Sequence, residues 1–223
     1  MKPTKVYILK TKTPISDEYA KNCSDSCDGL GIKWEYFNWH HSIDGNVAWN
    51  SFGLKRKIER KNVSNKAQLA SSGHAAIWKK IADEKECAII LEHDAIMLHK
   101  INIDIPDNKI VVLGYKTKEP QLYDYVMAGP PKRLIDIDGH EGAHAYCINH
   151  VTAKKLIDEI EKNGVMGAID NVYFLRSRKT KIPLAIADPT PAIGWLRQST
   201  IWKESSTKNY DFIPSFRRHF NNV

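Results

Sequence analysis

Apolar residues along this chain gather in short unbroken runs, and the stretches between them carry apolar positions at helical spacing. Val6-Tyr-Ile-Leu9, Cys87-Ala-Ile-Ile-Leu91, Ile110-Val-Val-Leu-Gly114-Tyr115, His144-Ala-Tyr-Cys-Ile148 and Pro183-Leu-Ala-Ile-Ala187 read as strands. The central run, Cys87 to Leu91, has no alternation at all, which marks a strand buried on both faces under covering helices. Ile32 to Trp39 is rich in aromatic residues and adds a further strand. Pro14 interrupts the chain after the first strand, and Ser16 then caps a helix with Asp17 and Glu18 in its first turn. That helix has Tyr19, Ala20, Cys23 and Cys27 on one face and ends at Gly29 and Gly31. Asn65-x-x-Gln68 resembles a capping box, opening a helix whose apolar face is Ala70, Gly73, Ile77 and Ile81. Asn149 caps a third helix, with Ala153, Leu156, Ile157 and Ile160 buried and Asn163-Gly164 closing it. Asn46 to Val63 reads as a loop with one helical turn. Lys116 to Arg133, with Pro120, Gly129, Pro130 and Pro131, reads as a long loop of the kind that covers active sites. Alternating strands and helices predict an α/β domain.

Candidate chemistry concentrates where the central strand stops. Glu92-His93-Asp94 follows the apolar run at once, at the carboxyl end of a strand, where open α/β sheets bind their ligands. In extended backbone Glu92 and Asp94 point to one side and His93 to the other, so two carboxylates converge on one hard cation. The alternative is an acid pair that solvates a strand end. Ser42-Ile-Asp44-Gly45 is a turn signal, and Asp44 is a ligand-facing acid only if the sheet order brings it to the cleft. His74 falls on the inner face of the second long helix as a hydrogen-bonded core histidine, while Ser72-Gly73 beside it permits a chain segment or a ligand to approach closely. Asp170, flanked by Ala168, Ile169 and Val172, is either a partly desolvated general base or the N-cap of the segment from Asn171 to Arg176. Cys23 and Cys27 read as packed thiols rather than metal ligands, and His40 and His41 as solvated or packed.

His140-Glu141-x-x-His144 matches the zinc metallopeptidase pattern, which works only on a helix. Asp138-Gly139 before it, Gly142 inside it and the strand-like residues after it argue against a helix, so the two imidazoles are expected not to converge.

The 223 residues suffice for one domain, residues 1–223, with an irregular aromatic and basic tail from about Gly194. The N-terminus lacks an apolar leader core and no run approaches a membrane span, so a soluble, cytoplasmic protein with at most peripheral membrane contact is expected. Four scattered cysteines fit a reducing compartment. The net charge of +7 points to an anionic partner. The basic residues are dispersed and no nucleic-acid-binding motif is present, so a nucleotide diphosphate or an anionic polymer is favoured over nucleic acid.

The order of these segments resembles glycosyltransferase family 25, the lipopolysaccharide and collagen galactosyltransferase group. The resemblance rests on Val6-Tyr-Ile-Leu9, Asp44-Gly45, Ala70-Ser-Ser-Gly-His74-Ala-Ala-Ile-Trp78, Ile89-Ile-Leu-Glu92-His-Asp94-Ala, Leu113-Gly114, Gly142-Ala-His-Ala-Tyr146, Ala153-x-x-Leu156 and Asp170. It implies a GT-A-like, Rossmann-like mixed sheet, mostly parallel and flanked by helices. It also implies Mn²⁺ or Mg²⁺ at Glu92 and Asp94, a nucleotide-sugar donor such as a UDP-hexose, and inverting transfer to a glycan or lipo-oligosaccharide hydroxyl. Lys10, Asp44, Ser72, His74 and Glu92 are the candidate donor contacts, and Asp170 the candidate base. The chain departs from the family in having His93 inside the acidic triplet, and only Lys10 and Lys12 after the first strand where the family tends to place arginines. A non-catalytic sugar- or nucleotide-binding module of the same fold is the rival reading.

Overall fold

The computed structural model describes residues 1–40, 42–54, 64–117, 129–164, 167–174 and 182–195. In chain order these form β1 (Lys5–Thr11), α1 (Pro14–Gly29), β2 (Trp34–Trp39), α2 (Gly45–Asn50), α3 (Asn65–Glu84), β3 (Cys87–Glu92), β4 (Ala95–Met97), β5 (Ile110–Val112) and β6 (Gly114–Thr117). They continue as β7 (Arg133–Ile137), β8 (Ala145–Asn149), α4 (His150–Asn163), a π-helical turn (Asp170–Phe174), β9 (Leu184–Asp188) and β10 (Ala192–Trp195).

The main sheet has seven strands in the order β2-β1-β3-β8-β5-β9-β7. β1, β2, β3, β5 and β9 run parallel, whereas β8 and β7 run against them. The fold class is the expected one, a mixed, mostly parallel α/β sheet with helices on its faces. Period-two alternation divides the central strand between two cores. Ala88 and Ile90 join Tyr7, Trp78, Ile81, Leu156 and Ile160 under α3 and α4. Cys87, Ile89 and Leu91 join Val6, Ile8, Ala20, Cys23 and Cys27 under α1. Side chains such as Ile90 and Leu91 are wholly buried, each worth roughly 1.5–3 kcal/mol of transfer free energy. All four cysteines are buried free thiols, so Cys23 and Cys27 are packing residues.

A second sheet, β4-β10-β6, stands at the carboxyl edge of the first. Both of its outer strands continue main-sheet strands: β4 follows β3 after a turn, and β6 follows β5 across Leu113. The single run expected from Ile110 to Tyr115 is therefore two strands in two sheets. Gly114 makes the crossing close-packed, because a Cβ there would lie 1.7 Å from the Ala192 carbonyl oxygen.

Several local expectations are corrected. Thr13, not Ser16, caps α1, and Pro14 begins the helix instead of breaking the chain; proline lacks an N–H that the first turn would leave unbonded. Ser16, one turn in, accepts the Thr11 N–H. Ser64 caps α3 through the Ala67 N–H, and Asn65 instead bridges to the backbone at Ile43 and Gly45. The helical turn expected in the loop from Asn46 is α2, and residues 55–63 of that loop lie outside the described residues. Lys116 and Thr117 belong to β6 and Arg133 to β7, while residues 118–128 of the expected covering loop lie outside the described residues. Gly194 and Trp195, expected to open an irregular tail, are strand, and the tail from 196 lies outside the described residues. Asn149 and Gly164 bound α4 as expected, with Gly164 at φ 71°. No helix among the described residues is long and apolar enough to cross a membrane.

Candidate functional site

The strand order reverses beside β1, which has β2 on one side and β3 on the other. Ligands of open α/β sheets bind in the crevice outside the carboxyl ends at such a point. Leu9 pairs with Glu92 in the β1–β3 register, so Lys10, Thr11, Glu92, His93 and Asp94 all emerge at this crevice. Glu92 keeps the parity of Ala88 and Ile90 and faces α3. His93 takes the other face, its ring centroid 5.8 Å from that of Tyr19 on α1. Through that contact His93 lies on the α1 side, away from the α3 side that Glu92 faces. His93 and Asp94 form the turn after β3, where the pleat no longer sets direction. Asp94 is half-buried, its carbonyl accepts from the Trp195 N–H at 2.8 Å, and its charge reaches Cys23 on α1. The alternation argument therefore stops at Glu92, and the direction of His93 rests on its contact with Tyr19.

A buried polar chain runs from the core to Glu92. The Trp78 indole donates to the Tyr146 hydroxyl at 2.7 Å, that hydroxyl lies 2.9 Å from His74 Nδ1, and His74 Nε2 lies 3.1 Å from Glu92 Oε1. Trp78, His74 and Tyr146 are each 0% exposed. Burial, reinforced by the Glu92 charge, holds the Tyr146 hydroxyl well above its usual pKa, so it stays protonated. His74 is a core histidine with satisfied bonds, as one reading had it, but its partner is the candidate site carboxylate. Sequence reasoning gave Trp78 and Tyr146 no role at the site, although the four-residue step from His74 to Trp78 puts those two on one face of α3.

His144 lies beside Glu92, whose N–H donates to the His144 carbonyl at 2.8 Å. It continues the parity of Tyr146 and faces the same side as Glu92. Its Nε2 bonds the Gly114 carbonyl at 3.0 Å, and His140 Nδ1 bonds the Gly142 carbonyl at 3.2 Å. Contrary to expectation, the two imidazoles do meet, with ring centroids 5.6 Å apart. The cause is Gly142, whose φ of 84° folds the segment back on itself without a helix. Glu141 is exposed and the segment is irregular, so the helical frame of a zinc peptidase is missing. The His140 N–H donates to the Phe174 carbonyl, and Phe174 packs edge-to-face on Tyr146, which ties the π-helical turn to this cluster.

The remaining predicted contacts are engaged within the fold. Lys10 lies on the α1 face, opposite Glu92, paired with Asp17 and held 4.9 Å from the Tyr36 ring centroid. Asp44 caps α2, accepting the Asn46 and Val47 N–H groups at 2.8 and 3.4 Å. Ser72 is buried, accepting from the Trp39 indole and donating to the Leu69 carbonyl, both at 2.8 Å. The close approach expected at Gly73 is made by Leu9 and Trp39 rather than by a ligand: each has an atom 3.0 Å from where a Cβ would stand. Through these bonds Ser72 and Asp44 hold the surrounding backbone. Asp170 opens the π-helical turn with its carboxylate on the Asn171 N–H at 2.8 Å, a capping-type bond. The preceding Ile169 N–H donates to Ser71 Oγ at 3.0 Å, placing Asp170 beside the α3 turn that precedes His74. His41 lies outside the described residues.

Two carboxylates at a strand end are hard oxygen donors of the kind Mg²⁺ and Mn²⁺ take, with phosphate oxygens and water completing the shell. Among the described residues, no group of three or more His, Cys, Asp or Glu side chains is gathered to hold a metal ion.

No protein-family model matches the sequence, and no curated protein matches it. Among solved structures, the chain is similar to the galactosyltransferase LgtC in complex with donor and acceptor sugar analogs, with 10% identity over 90% of each chain and a TM-score of 0.46. It is similar to the glycosyltransferase GlyE of Streptococcus pneumoniae TIGR4, with 12% identity, 92% of this chain, 57% of that chain and a TM-score of 0.46. A third similar structure is a glycosyltransferase involved in glycosylation of the major capsid of PBCV-1, with 11% identity, 87% and 94% coverage and a TM-score of 0.41.

Proposed function

We propose that this chain is a metal-dependent glycosyltransferase of GT-A type that moves a hexose, galactose or glucose, from a nucleotide diphosphate to a glycan hydroxyl with inversion. The observation that carries the reading is the position of Glu92. It is a half-buried carboxylate at the topological switch point, held by a buried histidine, with Asp94 two residues on. Glu92 is bonded to a buried histidine and keeps 26% side-chain exposure at the end of β3, which supports a role in meeting a ligand there. Bound at Glu92 and Asp94, Mn²⁺ or Mg²⁺ would neutralise the charge that grows on the diphosphate leaving group. Lys10 adds positive charge on the other side of the same rim once it exchanges Asp17 for phosphate. Asp170 is the proposed base, taking the acceptor hydroxyl proton as that oxygen attacks the anomeric carbon.

A non-catalytic nucleotide-sugar-binding module is the second reading, favoured by the engagement of Lys10, Asp44 and Ser72 in structural bonds. Thermal shifts with a panel of UDP-hexoses and other nucleotide sugars, with and without Mn²⁺, identify the donor, because ligands of the native state raise the midpoint. Mn²⁺-dependent donor hydrolysis then separates enzyme from module. Asp94→Ala should abolish Mn²⁺-dependent donor binding; a variant with unaltered Mn²⁺ affinity would refute the cation assignment.

A further inference from the structure

We infer that His74 is a positioning residue whose Nε2–H, fixed by the Tyr146 hydroxyl on its other nitrogen, orients the Glu92 carboxylate toward the crevice. This rests on the proposed role of Glu92 as a cation-binding carboxylate.

Proton accounting leads there. An indole nitrogen only donates, so Trp78 occupies an acceptor position on the Tyr146 oxygen. The single hydroxyl proton of Tyr146 then goes to His74 Nδ1, 2.9 Å away. An accepting Nδ1 places the ring proton of neutral His74 on Nε2, which faces Glu92 Oε1 at 3.1 Å. Every donor in the chain from Trp78 to Glu92 thereby meets an acceptor. The opposite order would turn the His74 proton toward Tyr146 and set a bare ring nitrogen against a carboxylate oxygen, which is repulsive. The imidazole is locked as well as oriented. It is wholly buried, its ring is 5.7 Å from that of Tyr146, and α3 carries both His74 and Trp78. Glu92, by contrast, retains 26% side-chain exposure. The rigid end of the chain lies in the core and its partly exposed end at the carboxyl end of β3, with Oε1 held by the imidazole. Partners that orient a metal-binding carboxylate in this way typically govern 10–100-fold in metal affinity.

The test uses the full chain, with Mn²⁺ binding followed by electron paramagnetic resonance, thermal unfolding, and ¹H–¹⁵N spectra of the histidine rings with Mg²⁺. Wild type should show the Nε2–H tautomer at His74, and that resonance should shift on Mg²⁺ addition. His74→Phe should weaken Mn²⁺ binding by about 10–100-fold, while His74→Gln, whose amide N–H reaches the same carboxylate, should stay within about threefold of wild type. A merely structural histidine would lower the unfolding midpoint in both variants and leave Mn²⁺ affinity in the folded protein unchanged, which would overturn the inference. Should His74→Phe not fold, the wild-type spectrum decides: an Nδ1–H tautomer, or a His74 resonance indifferent to bound Mg²⁺, also overturns it. Failure of wild type to bind either cation, with or without UDP, refutes instead the cation reading on which the inference stands.

Discussion

Gly114→Ala tests the junction on which the candidate site is built. Gly114 lies where the chain leaves β5 for β6, and its carbonyl accepts the His144 imidazole. A Cβ at this position would stand 1.7 Å from the Ala192 carbonyl oxygen and 2.4 Å from its carbon, both backbone atoms of β10. A carbon normally approaches a carbonyl oxygen no closer than about 3.3 Å, so β6 and β10 must separate by more than an ångström. No side-chain rotation relieves the overlap. Overpacking alone costs about 1–3 kcal/mol, and weakening the buried bonds at Leu113, Ala192 and His144 adds roughly 1–2 kcal/mol more. The expected loss is about 2–5 kcal/mol, or roughly 4–20 °C in Tm for a chain of this size. Urea unfolding by circular dichroism measures it. Gly29→Ala is the internal control: its Cβ meets nothing within 4 Å, and its φ is not in the left-handed region. It lies at the end of α1, where alanine should be neutral or stabilising by a few tenths of a kcal/mol. Equal stability of the two variants would refute the claim that β6 and β10 require a bare backbone at this crossing.

Asn149→Ala removes the α4 cap, whose oxygen accepts from Thr152 and whose nitrogen donates to Asp107 at 2.6 Å. A loss of about 2–3 kcal/mol is expected by urea unfolding; a change under about 0.5 kcal/mol would deny the cap its role. His93→Asp should keep the order of affinity among Mn²⁺, Co²⁺ and Zn²⁺ unchanged, because His93 packs toward Tyr19. A reversed order in titrations of the two proteins would make the imidazole a metal ligand. For His140 and His144, elemental analysis of the purified protein should find no stoichiometric zinc, and one tightly held ion per chain, lost in His140→Ala, would restore the metallopeptidase reading.

The sequence made legible those features that depend on uninterrupted periodicity. The central strand, the faces of α1 and α4, the Asn149 cap and the Gly164 stop all follow from local spacing, and each is found in the structure. What eluded the sequence depends on contacts between distant segments. β4, β6 and β10 are three or four residues long and exist because they pair with one another at the sheet edge. No local pattern in Ala95–Met97 or Ala192–Trp195 announces a partner about a hundred residues away. The same limit applies to the site. The Glu92 direction follows from alternation, whereas the bond that engages Ser72 with the Trp39 indole joins segments distant in sequence. The imidazoles of His140 and His144 meet through a glycine turn that the zinc motif does not describe.

Pleat parity also explains why the candidate charges come in two sets. Along β1 and β3, alternate side chains enter different cores, so Lys10 emerges on the α1 face, where His93 in the turn after β3 meets Tyr19, and Glu92 emerges on the α3 face beside buried His74. A ligand lying on one face would meet only one set. A group reaching both must cross the end of the sheet, over the carboxyl termini of β1 and β3, where no strand backbone intervenes. An extended anion such as a diphosphate suits that path better than a compact one. The Lys10–Asp17 pair offers little resistance, because Asp17 is 54% exposed, and an ion pair with one partner in solvent contributes no more than about 1 kcal/mol. A doubly charged ligand outbids a single, solvated carboxylate for that ammonium, whereas Glu92 stays fixed by a histidine that has no route to solvent. On the proposed reading, Lys10 is the adaptable cation and Glu92 the rigid anion, and the rigid side is the one on which a hard metal ion would depend for its geometry.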